Sequence, residues 1–164
     1  MNATRISLLL GAISLALILG ALGFQYLGGY APCEMCHWQR WPHIAAAVVG
    51  LGGGALIAGG TLDARWAPFV AGVTLLLIVA AGALGVFHAG VEWKLWAGPS
   101  ACTGNPVEFN GLQGLNVRSI VRCDEAAWRL FGISMAGYNA IISLGAAACA
   151  ALLLARNPHS GSKR

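Results

Sequence analysis

Four of the five cysteines in this chain are spaced as two pairs that could exchange disulfide bonds. Cys33 and Cys36 form a C-x-x-C, whereas Cys102 and Cys123 lie much later in the sequence. A C-x-x-C commonly lowers the pKa of one thiol, which makes that sulfur a better thiolate and a better leaving group. A lone bond between Cys102 and Cys123 would be typical of a structural staple, contributing about 3 kcal/mol through loop entropy. Two pairs together favour thiol–disulfide exchange, provided that the sulfurs can meet.

The elements that must position these cysteines are predicted to be membrane-spanning helices. The chain is 57% apolar and only 10% charged, whereas soluble domains carry about 25% charged residues. Four stretches lack Asp, Glu, Lys and Arg, and each is long enough for a spanning helix of about 20 residues. We therefore predict an all-α membrane protein, a four transmembrane helix bundle in one domain, residues 1–164. The predicted helices are 6–28, 41–62, 66–91 and 130–155, with one long loop at 92–129.

Two features of these helices bear on how the bundle is built. The first uncharged run, Ile6 to Cys33, exceeds the roughly 7–15 residues of a signal-peptide core, so we expect a retained helix. Small residues let helices approach closely in lipid, where no hydrophobic force drives their association. We expect close helix packing at the glycines and small residues Gly50, Gly54, Gly82, Gly85 and the stretch from Gly145 to Ala151.

The predicted topology places both cysteine pairs on one side of the membrane. Two crossings separate the C-x-x-C from the loop pair, so the pairs share a side in either orientation. The positive-inside rule puts both termini in the cytoplasm, because positive charge is denser in the short segments there. Those charges are Arg5, Arg65, Arg156, Lys163 and Arg164. Both pairs then face the periplasm or the cell exterior, where disulfides persist, and the net charge of +4 indicates topology and no nucleic-acid partner.

Three other interpretations of the cysteines remain open at this point. Cys33 to His37 spells C-x-x-C-H, the attachment site of a c-type haem, for which His43 or His88 would have to supply a second axial ligand. Zinc needs two further ligands close by, and the wide spacing of the second pair argues against it, so we predict no metal. In a passive helical bundle, every cysteine would be structural.

The long loop and the fourth helix hold the remaining cysteines. Pro99 and Gly104 flank Cys102, so we expect its sulfur to be accessible to a docking protein. Frequent Gly and Pro from Gly98 to Gly114 predict an irregular, mobile segment, and residues 91–96 are expected to form a short amphipathic turn on the membrane surface. Cys149 lies among alanines and is expected to be buried and inert.

Arg40 and His88 are the candidate cofactor-binding residues. Arg40 follows Cys36 by four residues, on the same face of a helix. A cation in the first helical turn opposes the helix dipole, so helix stability does not explain it. It is either an arginine snorkelling to the interface or a functional one. His88, near the outer end of the third predicted helix, is either a cofactor ligand or a hydrogen-bonded interfacial histidine.

The order of these motifs resembles the disulfide-bond formation protein B (DsbB) family. The resemblance rests on Pro32-Cys33-x-x-Cys36-x-x-x-Arg40 at the start of the second helix, followed by a cysteine pair between the third and fourth helices. It covers nearly the whole chain in helix count and cysteine order. Vitamin K epoxide reductase-like proteins place the C-x-x-C late and the loop pair early, so the order found here favours the DsbB family.

The resemblance implies a quinone-linked membrane thiol oxidase, that is, a protein-dithiol:quinone oxidoreductase. Its partners would be a periplasmic DsbA-like thiol oxidase, the lipid bilayer and the membrane quinone pool, with ubiquinone or menaquinone as cofactor. The partner would attack the Cys102–Cys123 disulfide at Cys102, and Cys123 would then engage Cys33. Cys36 would face the quinone as a thiolate, with Arg40 beside the quinone head.

Overall fold

The part of the chain that the structure describes forms four long helices, with one small hairpin before the fourth. The computed structural model describes residues 1–103 and 121–156. Each of the four helices is long and apolar enough to cross a membrane, which confirms the predicted all-α membrane bundle. The helices are α1 (Ala3–Tyr26), α2 (Glu34–Ala58, with a π-helical segment at Val48–Gly53), α3 (Ala67–Glu92, after a 3-10 turn at Ala64–Trp66) and α4 (Met135–Arg156). Between α3 and α4 lie a helical turn (Ser100–Thr103) and the antiparallel strands β1 (Arg129–Leu130) and β2 (Ile133–Ser134).

Two helices begin five or more residues away from their predicted starts. The prediction ended each span at a charged residue, but a charged side chain can lie in a helix where that helix reaches the membrane surface. The second helix accordingly begins at Glu34 instead of residue 41, with Cys33 as its N-cap. The fourth begins at Met135 instead of residue 130, because Phe131 and Gly132, with φ of 50° and 81°, turn the chain between β1 and β2.

Glycines allow the closest approaches between the helices. A Cβ on Gly50 of α2 would lie 2.6 Å from the Ser7 carbonyl oxygen and 3.0 Å from Gly11 Cα, both on α1. Such separations leave no room for a side chain, so these two helices pack backbone against backbone. Gly54, Gly82 and Gly85 also lie at tight contacts with neighbouring helices, as predicted, whereas Gly145 faces open space.

The chain on either side of the undescribed loop folds back against the end of α3. Trp96 stacks on Phe87, with ring centroids 6.0 Å apart, and its Nε1 donates to the Phe87 carbonyl at 2.8 Å. The predicted turn at 91–96 is therefore not a separate element throughout, because its first two residues belong to α3, which continues to Glu92. Most of the predicted mobile segment lies at 104–120, outside the described residues.

Ion pairs around Asp124 hold the segment that carries Cys123. Arg122 donates Nη2 to Asp124 Oδ2 at 2.7 Å, and Lys94, just after α3, donates Nζ to the same oxygen. Arg122 and Lys94 lower the pKa of Asp124 to about 2. The segment that begins at residue 121 is thus tied to the end of α3 at the residue that follows Cys123.

Replacing Gly50 with alanine should destabilise the bundle. The new methyl group would be forced against the backbone of α1, and overpacking of this kind costs about 1–3 kcal/mol. The Gly50→Ala variant should therefore unfold at a lower temperature in detergent, followed by circular dichroism. Gly52→Ala is the matched control, since a Cβ at Gly52 meets nothing within 4 Å. Equal melting temperatures for the two variants would contradict the backbone contact.

Protonation of Asp124 should release the Cys123 segment. A carboxylate whose pKa is lowered by folding stabilises the folded state at pH values above its ordinary pKa of 3.8. That stabilisation disappears as the pH falls towards the folded-state pKa of about 2. Amide hydrogen-exchange protection at residues 121–125, corrected for the intrinsic exchange rate, should fall about two- to fivefold over that range, because the pairs are near the surface. Asp124→Asn should lack the protection at neutral pH. Glu125→Gln, at an exposed carboxylate that pairs with Arg122, should lower the exchange protection less. Equal protection in the two variants would rule out the Asp124 ion pairs as the anchor.

Candidate redox site

Both cysteine pairs lie in one buried cluster at a single end of the bundle. Cys33, Cys102 and Cys123 are 5%, 3% and 0% exposed, and they pack with Met35 and Val91. Cys102 and Cys123 are joined as a disulfide, and Cys36 packs against the cluster from its partly exposed edge. The two pairs therefore meet on one face, as the count of crossings required.

The burial of Cys102 contradicts the expectation that its sulfur is accessible. The helical turn that contains it begins at Ser100, and the Cys102 carbonyl accepts a backbone hydrogen bond from Cys123 at 3.0 Å. Gly and Pro around Cys102 make the local chain adaptable, but the disulfide draws this turn onto the end of the bundle. A partner protein would have to displace the turn to reach the sulfur.

The C-x-x-C occupies the first turn of α2. Cys33 caps the helix, because its Sγ accepts the Cys36 backbone N–H at 3.2 Å, and the two Sγ atoms are 2.7 Å apart. The hydrogen bond with Cys36, together with burial, raises the pKa of the Cys33 thiol. In the reduced pair, the Cys33 thiol therefore retains its proton and donates a hydrogen bond to the Cys36 sulfur. The pair can close to a disulfide with little movement of the backbone.

His88 joins the two pairs from the end of α3. Its Nε2 lies 3.2 Å from the Cys123 carbonyl oxygen and 3.6 Å from Cys33 Sγ, and its Nδ1 lies 2.8 Å from Gln39 Nε2. Glu92, one turn further along α3, places Oε1 3.7 Å from Nε2. The side chain is only 3% exposed. His88 is thus a buried histidine with protein partners on both nitrogens, in contact with the sulfur cluster.

A cavity of about 350 Å³ opens beside the sulfur cluster, between α1 and α4. Cys33, Cys36 and Arg40 line it from the start of α2, and Cys36 is the more exposed of the two cysteines. Arg40 donates Nη1 to Gln25 Oε1 at 2.7 Å, which holds its charge at the cavity wall and not out in the headgroup region. The other lining side chains are mostly apolar and include Leu17, Ala21, Phe24, Trp128, Tyr138 and Ile142.

Two polar residues beneath the cluster, Gln39 and Asn139, were not identified from the sequence, and His43 was considered only as a haem ligand. Gln39 and His43 of α2 are buried and both are hydrogen-bonded to Asn139 of α4. Asn139 Nδ2 donates to Gln39 Oε1 at 2.8 Å, and Asn139 Oδ1 lies 2.8 Å from His43 Nε2. The signal was present, since Gln39 and His43 lie four residues apart on one face of a membrane helix, where polar groups are costly and therefore informative.

The geometry argues against the haem and metal interpretations. His43 has hydrogen-bonding partners at both ring nitrogens, as does His88, so neither offers a free axial ligand. Cys33, Cys36 and His88 do bring three potential ligand atoms within 4.8 Å of one another. However, Gln39 donates to Nδ1 of His88, which leaves the ring proton on Nε2, and an Nε2–H has no lone pair for a metal.

Cys149 lies outside the redox site. It is a free cysteine on the exposed face of α4, where it would contact lipid. The prediction that it is buried is therefore wrong. The alanines around it gave no indication of which face is buried, because small residues occupy both faces of this helix.

Comparison with known proteins agrees with this arrangement. The family described as "Disulfide bond formation protein DsbB" matches residues 3–153. The chain is 30% identical to "Disulfide bond formation protein B" of Dechloromonas aromatica (strain RCB) in an alignment of 161 residues that covers 90% of this chain and 89% of that protein. It is 25% identical to "Uncharacterized protein RP370" of Rickettsia prowazekii (strain Madrid E) in an alignment of 148 residues that covers 85% of this chain and 80% of that one. No solved structure gives a significant match.

The family match spans nearly the whole chain, and the four cysteines of the resemblance lie together in the fold. These findings support thiol oxidoreductase chemistry over haem attachment or a passive bundle. The chain belongs to the DsbB family of membrane disulfide-bond formation proteins.

Proposed function

We propose that this protein is a thiol oxidase that reoxidises a periplasmic DsbA-like dithiol and passes the electrons to a membrane quinone, ubiquinone or menaquinone. One observation carries the proposal: the two cysteine pairs share a buried cluster, and both cysteines of the C-x-x-C line a cavity between α1 and α4. Electrons entering at the loop pair thus have a continuous path of sulfurs to a site that a lipid-soluble oxidant can reach.

The exchange begins at the loop disulfide. A partner thiolate attacks Cys102, which forms a mixed disulfide and releases Cys123 as a thiolate. Cys123 then attacks Cys33 of the oxidised C-x-x-C, so that a Cys33–Cys123 bond forms and Cys36 is released as a thiolate. Each step exchanges one disulfide for another and consumes no external oxidant.

The remaining steps restore the loop pair. The second partner thiol resolves the mixed disulfide and releases Cys102, which attacks Cys123 and frees Cys33. The net result is one partner disulfide and one reduced C-x-x-C. The arrangement with Cys102 bonded to Cys123 and with Cys33 and Cys36 free corresponds to this stage.

The residues of the cavity fit a quinone. A planar ring with two carbonyl oxygens and a long apolar tail requires apolar walls and a hydrogen-bond donor. Phe24 and Trp128, with ring centroids 4.9 Å apart, offer aromatic surface, and Arg40 offers the donor. Ile142 of α4 is 42% exposed, so the cavity leads to the lipid-facing surface. A bound quinone would take up two electrons and two protons as the Cys33–Cys36 disulfide forms.

The proposed orientation follows from charge and from disulfide chemistry. The shorter connections at the opposite end of the bundle carry the denser positive charge, which favours cytoplasmic termini in a bacterial inner membrane. The sulfur cluster then faces the periplasm, where a thiol partner can dock and disulfides persist.

Replacing Cys36 with serine should abolish quinone reduction, because the thiol that faces the cavity is lost. The assay mixes the purified variant with a reduced DsbA-type protein and a short-chain ubiquinone, and follows quinone absorbance. The rate should fall to background. Cys149→Ser is the control and should retain full activity, since Cys149 lies on the lipid-facing side of α4. Unchanged quinone reduction by Cys36→Ser would refute the proposed electron path.

Replacing Arg40 with methionine should weaken quinone use. Methionine retains an apolar chain of comparable length but removes the charged donor, and a hydrogen bond to a charged group is worth about tenfold or more in affinity. The KM for quinone should rise by that factor, with a smaller effect on the rate at saturating quinone. Arg65→Met, at the opposite end of the bundle, should leave the KM unchanged. An unaltered KM in Arg40→Met would show that this arginine is only an interfacial anchor.

A further inference from the structure

A chain of buried polar side chains runs from the sulfur cluster into the bundle. It begins at His88 of α3, passes to Gln39 of α2 and then to Asn139 of α4, and returns to α2 at His43. Ser14 and Ser143, both 0% exposed, complete it at His43 Nδ1 (3.2 Å) and Asn139 Oδ1 (2.9 Å). The exchange steps described above do not use any of these groups.

Two backbone carbonyls fix the direction of this chain. A carbonyl can only accept hydrogen bonds, and Met35 O receives Gln39 Nε2 at 3.1 Å while Ala81 O receives Asn139 Nδ2 at 3.2 Å. Both amides are therefore held with their NH₂ groups in known directions. Asn139 also donates to Gln39 Oε1, so that turning the Gln39 amide over would break two contacts at once.

The orientation of Gln39 determines where His88 carries its proton. Because the Gln39 NH₂ group donates to His88 Nδ1, the neutral ring must hold its hydrogen on Nε2. That N–H points at the Cys123 carbonyl oxygen at 3.2 Å and at Cys33 Sγ at 3.6 Å. Cys33 and Cys123 are the two residues that must bond to each other during transfer between the pairs.

We propose that Gln39 is a positioning residue, which acts through His88 to hold the backbone of Cys123 against Cys33. This inference rests on the proposed function and names the device that brings its two cysteine pairs together. Asn139 supports the same orientation of Gln39 from α4. Gln39 and His88 line the same cavity as Arg40, but only Gln39 is hydrogen-bonded to the ring of His88, whereas Arg40 is hydrogen-bonded to Gln25.

The test measures how readily Cys33 and Cys123 pair when no other exchange is possible. In a Cys36→Ser, Cys102→Ser, Cys149→Ser chain, oxidised glutathione converts the two remaining thiols into one Cys33–Cys123 disulfide and is itself reduced to two glutathione thiols. The disulfide fraction, measured over a range of glutathione redox ratios, gives the effective concentration of one thiol at the other. Neither a partner protein nor a quinone is needed, so the outcome is independent of the oxidase assay.

Adding Gln39→Leu should lower that effective concentration about tenfold, the equivalent of one lost hydrogen bond. His88→Asn should lower it by a similar factor, and combining the two should give no further loss, because Gln39 acts through His88. Thr74→Val is the matched control. It removes another buried hydrogen bond of α3, from Thr74 Oγ1 to Val70 O, and should leave the effective concentration unchanged.

Additive effects of Gln39→Leu and His88→Asn, or an equal loss in Thr74→Val, would overturn the inference and indicate a general loss of packing. If Gln39→Leu does not fold, ¹⁵N spectra of histidine-labelled native chain provide a second measurement. They should show the His88 ring proton on Nε2, and a proton on Nδ1 would equally refute the proposal.

Discussion

Transfer of a disulfide between two cysteine pairs requires that their sulfurs come into contact, and the end of the bundle is arranged around that requirement. Cys33 caps α2, Cys123 returns from the long connection, and the His88 ring lies between them. Disulfide exchange requires that the reacting sulfurs lie close together, so the start of α2 and the Cys123 segment must be held together by contacts that can still be broken. Weak contacts that can be remade suit this purpose: one ring N–H, the ion pairs of Asp124 and the packing of Met35 and Val91.

The membrane limits the forces that can hold such a site in place. Lipid tails are as apolar as the helices, so close packing and hydrogen bonds must join the bundle. The structure uses both, in different places. Glycine contacts such as that between Gly11 and Gly50 bring α1 and α2 together away from the sulfur cluster, whereas the amide contacts of Gln39 and Asn139 join α2, α3 and α4 directly beneath it. A rigid base therefore supports a more adaptable end.

The sequence was sufficient for the architecture but not for the contacts inside it. The long uncharged runs predicted four spanning helices, and the count of crossings placed both cysteine pairs at one end, because each follows from composition and order alone. The burial of Cys102 could not be foreseen, since it depends on the tertiary packing of its turn against α2 and α3. The early start of α2 was missed because Glu34 and Arg40 were treated as ending the span. Gln39 and Asn139 were overlooked because their function lies in their pairing, which only the fold reveals.

The position of each sulfur along α2 suggests why the two cysteines of the C-x-x-C have different roles. Both sulfurs line the cavity, but Cys33 is 5% exposed and contacts His88 beside the loop pair, whereas Cys36, one turn on, is the more exposed of the two. A bond between Cys33 and Cys123 would leave Cys36 as the free sulfur, on the side that leads to lipid. The separation of incoming and outgoing electrons in the proposed function then needs no large movement of the helices. It follows from one helical turn, which directs two neighbouring sulfurs to two different partners.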